Sequence, residues 1–174
     1  DQLKQSVEDY NSSTQVLLQV AKIYRRVSIS LIEELVTTSL QAVFERPYQF
    51  LLTPQEKRGQ IELKMHVKLG NLDLDPAEEM GGGVVDVVSL ALRIVLWSRA
   101  KNRTDSVMVL DEPMRGVAEA HISNVAAMLK KLSEKLNIQF IITTHRDALA
   151  GAADRTFRVT KNNFSRVQQE SENA

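Results

Sequence analysis

The sequence predicts an α/β fold in which a long helix and a β-hairpin precede a helix–strand–helix–strand run. Three observations carry this. Residues 2–45 contain neither Gly nor Pro and repeat apolar residues at helical spacing. Residues 48–69 alternate apolar and polar around a polar link that holds a glycine. Residues 84–143 then run as apolar helix, apolar strand, amphipathic helix, apolar strand, the pattern of parallel strands joined by a crossover helix.

In the first segment Val16, Leu17, Val20, Ile23, Tyr24, Val27, Leu31, Leu35, Val36 and Leu40 recur at spacings of one, three and four. Unbroken, this helix would reach roughly 60 Å at 1.5 Å per residue, long enough to be a coiled-coil stub or arm. Two helices broken near Ser28-Ile29-Ser30 fit the same pattern. Pro47 ends the segment. Tyr48, Phe50 and Leu52 then alternate against Ile61, Leu63, Met65, Val67 and Leu69, with Gln55–Gly59 as the turn. A polar loop is expected over 70–80. Gly81-Gly82-Gly83 leads into a helix that is apolar nearly all round, with Arg93 as its main polar interruption, and so is expected to be buried. Strands are expected at Val107–Leu110 and Ile138–Thr143. Between them Ile122, Val125, Met128, Leu129 and Leu132 mark one face of a helix. These boundaries divide the chain into a long helix or coiled-coil stub (1–46), a lobe of mixed structure (47–165) and a tail expected to be disordered (166–174).

The totals fit an ordinary globular chain. Of 174 residues, 43% are apolar and 25% charged, enough for a core and unlike a disordered composition. Lys plus Arg and Asp plus Glu each number 22, so bulk charge argues for neither nucleic acid nor membrane. Cysteine is absent, which excludes disulfides and thiolate metal sites and agrees with a reducing compartment. No run of eighteen apolar residues occurs, so no transmembrane helix is expected. The chain begins at Asp1 and is expected to be processed or cut from a longer one.

Three stretches carry chemistry. "VMVLDEP" drives an apolar strand into Asp111-Glu112. In open α/β sheets ligands sit beyond the carboxyl ends of strands, where one carboxylate can hold the water shell of Mg²⁺ and its neighbour can orient or deprotonate a water. A strand followed by a polar turn reads the same way. Gly81, Gly82 and Gly83 precede a helix, so backbone N–H groups and the helix N-terminus could approach an anion; a flexible loop entering a helix has the same composition. Asp86, in the first turn, is a cap or faces a partner. His145 ends the second strand at the same sheet end as Asp111, placed to bond a phosphate or simply to lie at the surface. His66 and His121 have no acidic or ligand spacing around them and read as structural.

Taken in order, glycine run, helix, Asp-Glu-Pro strand, helix and strand with His resemble the C-terminal half of an ABC-class ATPase head over residues 30–160. The closer resemblance is to SMC-like DNA-repair ATPases of the coiled-coil, nuclease-associated kind, and the long leading helix agrees with it. The resemblance implies half of a P-loop NTPase-like head with ATP and Mg²⁺ as cofactors. It implies Asp111 on the metal shell, Glu112 as catalytic base, His145 reading the γ-phosphate, and Gly81, Gly82 and Gly83 as a signature loop facing nucleotide on a second head. The implied partners are an N-terminal P-loop lobe of the same protein, a second head in a homodimer, DNA and a nuclease subunit, with no membrane. The implied location is cytoplasmic, nucleoid-associated in a bacterium. Lys57, Arg58, Lys64 and Lys68 are the basic candidates for DNA, or a solvated hairpin face.

The departures are specific. Gly81 stands where the signature normally has a serine, and Val117-Ala118 where a Leu-Asp pair follows Asp-Glu-Pro. No G-x-x-x-x-G-K-[ST] occurs, and Gly-Lys is absent altogether, so this chain alone should hold ATP poorly. Two alternatives stand beside the ATPase lobe. One is a non-catalytic scaffold or interaction module. The other is a metal-dependent nuclease using Asp73, Asp75, Asp111 and Glu112.

Overall fold

One helix, α1 (Gln2–Phe44), runs unbroken through Ser28-Ile29-Ser30. Serine and isoleucine each cost a few tenths of a kcal/mol relative to alanine, too little to break a helix whose neighbouring Ile29 and Ile32 already pack on the core. The computed structural model describes residues 2–100, 106–161 and 165–172. In the outer part of α1, Leu17, Val20, Tyr24, Val27 and Leu31 follow at intervals of three and four, Tyr10 lies one heptad earlier, and all are exposed. That is the seam of a helix made to pair with another. By length and composition Ser12–Phe44 would also suffice to cross a membrane. Lys22, Arg25 and Arg26 interrupt that stretch, and Val36, Leu40 and Val43 at its root are buried in protein.

At that root Val36, Leu40 and Val43 are fully buried. The buried Ser39 hydroxyl donates to Leu35 O at 2.9 Å, so it leaves no unpaired polar atom. Glu45, in the left-handed region at φ 53°, ends α1 with its N–H on Gln41 O. The chain turns back into β1 (Tyr48–Lys57), which pairs antiparallel with β2 (Gln60–Leu69) and then β3 (Leu72–Leu74). The free edge of β1 is covered by side chains of α1. Glu33 Oε1 accepts from Leu52 N at 2.7 Å, Thr37 Oγ1 from Phe50 N at 2.9 Å, and Gln41 Nε2 donates to Tyr48 O at 2.9 Å. Four helix residues rise about 6 Å and two strand residues about 6.7 Å, so the two repeats stay in step and the edge is covered from Tyr48 to Leu52.

The hairpin is longer than its sequence indicates. Residues 55–57 continue β1, and only Arg58 and Gly59 form the turn, both with positive φ. This is the two-residue turn that suits the twist of paired strands. The expected loop over 70–80 also contains a strand, β3, too short to be read from three residues.

Helix α2 (Gly82–Arg99) follows, then β4 (Val107–Asp111), a 3-10 turn (Glu119–His121), α3 (Ile122–Leu136) and β5 (Gln139–Thr143). β4 and β5 are parallel neighbours, Val107 opposite Gln139 through Asp111 opposite Thr143. Helix α2 is not buried all round. Ser89, Arg93 and Leu96 form an open stripe, with Asp86 half-buried on its line. Its other faces join α1, β1, β4 and α3 in a single core. Asn124 of α3 donates to Val43 O at 3.0 Å, and His121 lies edge-on to Phe44, which gives that histidine its packing role.

After α4 (Asp147–Gly151), β6 (Arg155–Lys161) pairs antiparallel with β7 (Ser165–Glu172). The disordered tail expected over 166–174 is therefore a strand through Glu172. Polar composition hid it, because the ladder is held by backbone bonds and by pairs such as Arg158 with Glu170, whose carboxylate, by hydrogen bond and then by charge, raises the guanidinium pKa. Phe50, fully buried between α1 and the hairpin, is the side chain with most to lose. Phe50→Ala is expected to cost about 3–5 kcal/mol, measured as a shift in the urea unfolding midpoint with the slope unchanged.

Candidate functional site

The parallel pair ends with its chemistry side by side. Alternation along β4 turns Met108 and Leu110 into the core and leaves Val107, Val109 and Asp111 on the open face. Thr143, opposite Asp111, donates its hydroxyl to Asp111 Oδ1. One residue on, Glu112 N donates to Thr143 O at 2.9 Å, which extends the ladder past the last strand residue. Glu112 sits in the left-handed region at φ 43°, as does Met114 at φ 63°. Such backbone is uncommon for residues other than glycine, and it bends the chain sharply around Pro113. The bend sends Glu112 toward the end of β5, where its Oε2 lies 2.8 Å from His145 Nδ1. A carboxylate only accepts, so Nδ1 is the donor in this contact. The histidine is mostly exposed and the glutamate about a third exposed.

The loop beyond the bend returns to the glycines. Met114 and Val117 are buried and anchor it, and between them Gly116 meets the start of α2. Its N–H donates to Asp86 Oδ2 at 2.6 Å. A Cβ on Gly116 would lie 2.7 Å from Gly82 C, and one on Gly83 would lie 2.9 Å from Gly116 O. No real contact is that short, so two stretches of backbone touch here with no room for a side chain. The three glycines therefore have different reasons to be there. Gly83 is buried against Gly116, Gly82 borders it, and Gly81 is the N-cap, exposed, with open space where a Cβ would go.

Arg146 holds the same loop from the other side. Its Nη1 donates to Val117 O at 2.8 Å and its Nη2 to Arg115 O at 3.0 Å, with Glu119 Oε2 at 3.5 Å. Asp111, Glu112, His145 and the glycine turn are thus joined through residues 113–117. Between the open stripe of α2 and this loop runs a groove lined by Asp86, Ser89, Arg93, Asp111, Glu112 and Arg115 among others. A carboxylate paired with an imidazole, beside a second carboxylate on a solvent-facing strand end, can orient a water, take its proton and anchor a cation's water shell.

The remaining sequence candidates lie elsewhere. Asp73 pairs with His66 on β2–β3 at 3.2 Å, and Asp75 Oδ1 accepts from Ala77 N. Among the described residues no three His, Cys, Asp or Glu are grouped to hold a metal, so the four-carboxylate nuclease arrangement is not formed. Lys57 pairs with Glu62 at 3.8 Å on the hairpin. Thr143, Gly116 and Arg146 were not foreseen. Gly116 had a signal, a lone glycine between two buried residues of a loop. Arg146 had only its place next to His145.

No protein-family profile matches the chain. Structural maintenance of chromosomes protein 2 of Schizosaccharomyces pombe is 29% identical over 119 residues, covering 68% of this chain and 10% of that protein. The DNA double-strand break repair Rad50 ATPase of Halobacterium salinarum is 26% identical over 151 residues, covering 82% and 16%. This chain thus spans a small part of each curated relative. Among solved structures, the Smc head domain with a coiled coil and joint derived from Pyrococcus yayanosii superposes with a TM-score of 0.70 at 20% identity, over 91% of this chain and 30% of that one. The fold is that of an SMC head. A second SMC structure, from work on ATP-driven dimerization and DNA-stimulated activation of SMC ATPases, has a TM-score of 0.67 at 21% identity, over 86% of this chain and 89% of that one.

The contrast among the glycines is measurable. Gly116→Ala is expected to destabilise the chain by about 1–3 kcal/mol, because backbone must move to admit the methyl. Gly81→Ser, at an open N-cap, is expected to stabilise it by a few tenths of a kcal/mol. Urea denaturation of both variants checks the order.

Proposed function

We propose that this chain is the C-terminal lobe of an SMC-like ATPase that binds and hydrolyses ATP between paired heads to drive DNA repair or recombination. Residues 1–46 form the arm and residues 47–165 the head lobe. The observation that carries this reading is the Glu112–His145 contact at the shared end of β4 and β5, beside Asp111. Thr143 occupies Asp111 Oδ1, and the second oxygen is suited to the water shell of a nucleotide-bound Mg²⁺. Bound Mg²⁺ and ATP would supply the electrophilic phosphorus and neutralise its charge. Glu112 takes a proton from the attacking water. His145 reads the γ-phosphate. Gly81, Gly82 and Gly83 offer backbone N–H groups to nucleotide on the opposite head, aided by the N-terminus of α2.

The phosphate cradle comes from an N-terminal P-loop lobe of the same protein. Support for that partner is the open apolar face of β4–β5, where Val107, Val109 and Ile141 are 40%, 67% and 48% exposed; a parallel sheet is normally covered on both faces. The relatives add further support, being a chromosome-maintenance protein and a double-strand break repair ATPase. A second copy completes the pair of heads. DNA binds across them, with Lys57, Arg58, Lys64 and Lys68 as hairpin contacts, and a nuclease subunit is a candidate partner. One solved Smc head carries the C-winged helix domain of ScpA, so a winged-helix partner is a candidate here too. The protein acts in the cytoplasm, at the nucleoid if the cell is bacterial.

A second reading, a non-catalytic head that serves as a scaffold, is favoured by one observation. Gly81 puts a hydrogen where the signature normally has a hydroxyl. One measurement separates the two. With the P-loop lobe supplied, Glu112→Gln is expected to lower ATP turnover about a hundredfold or more, while ATP-dependent pairing of heads persists. The 174-residue chain by itself is expected to show no turnover. A wild-type assembly that binds ATP and never hydrolyses it would make the scaffold the correct reading.

A further inference from the structure

We propose that Arg146 is a positioning residue that ties the Glu112–His145 pair to the glycine turn at the head of α2. The inference rests on the ATPase reading for its consequence, but its geometry stands apart from it. Arg146 follows His145 directly, so a displacement of the histidine backbone is shared by the arginine. Its side chain is only 13% exposed, and its guanidinium forks onto the carbonyls of Arg115 and Val117, the two residues that flank Gly116. Gly116 in turn gives its N–H to Asp86 and lies in backbone contact with Gly82 and Gly83.

The path is therefore continuous: Glu112, His145, Arg146, the 115–117 backbone, Asp86 and the glycines. Each link is a hydrogen bond, a peptide bond or a van der Waals contact. A planar fork suits this task, since two parallel donors fix the orientation of a loop as well as its distance. The loop it holds contains two residues with left-handed backbone, Glu112 and Met114. Such a bend persists only where its surroundings impose it, and Arg146 is the side chain that grips its far end. With heads paired, the glycines of one head face the nucleotide of the other. Arg146 would then carry the state of its own Glu112–His145 pair to the opposite site.

Two experiments test this. In the 174-residue chain, amide hydrogen exchange is compared between wild type and Arg146→Lys, which keeps the charge and removes the fork. The expected result is exchange at Gly116 faster by about tenfold, with the Glu112 amide, bonded to Thr143, unchanged. Equal protection at Gly116 would overturn the proposal. In the assembled head with its P-loop lobe, Arg146→Lys is expected to leave ATP affinity within about twofold, lower turnover about tenfold and bring the Hill coefficient to one. Wild-type turnover and cooperativity in the variant would overturn it. So would a loss of affinity that follows a fall in melting temperature, which marks a merely structural residue. A wild-type assembly that binds no ATP removes the proposed function, and the coupling with it, whatever happens at Gly116.

Discussion

The register of β4 against β5 is the constraint on which the site depends. Asp111 lies opposite Thr143, so the threonine hydroxyl reaches one carboxylate while its carbonyl receives the next amide. That second bond fixes where Glu112 begins its bend, and the bend brings the glutamate to His145. Side chains in a strand alternate with a period of two, so a slip of one residue would turn Asp111 inward and Leu110 outward. Met108 and Leu110 prevent the slip, because both are core residues. Core packing on one side of the strand thereby sets the chemistry on the other.

A comparable economy governs the start of α2. A glycine run before a helix suggests an anion cradle, and the exposed Gly81 keeps that role open. Gly83 and Gly116, however, are held to glycine by each other. The same tripeptide thus combines a packing constraint with a candidate binding function.

Much of this was legible from the chain. Long-period features were read correctly: the helix stripe of α1, the alternation of the hairpin and the two apolar strands with their acidic and imidazole ends. These signals depend on residues whose burial repeats at a fixed interval. Contacts between distant segments left little trace. Arg146 reaches carbonyls of Arg115 and Val117, and a carbonyl has no sequence signature. β7 was missed because an exposed two-stranded ladder needs no apolar alternation. The open stripe of α2 has no polar signature along its whole length, because Leu96 is apolar yet exposed.

The α1 root bears on mechanics. Glu33, Thr37 and Gln41 fasten the helix to three alternate positions of β1, and Val36, Leu40 and Val43 are buried on the adjacent face. A shaft clamped over two turns cannot pivot independently of the sheet that clamps it. Forty-three residues make about 65 Å of helix, so each degree of tilt at the clamp sweeps the far tip by about 1 Å. Small rearrangements of the lobe are therefore magnified geometrically, with no hinge needed along the shaft.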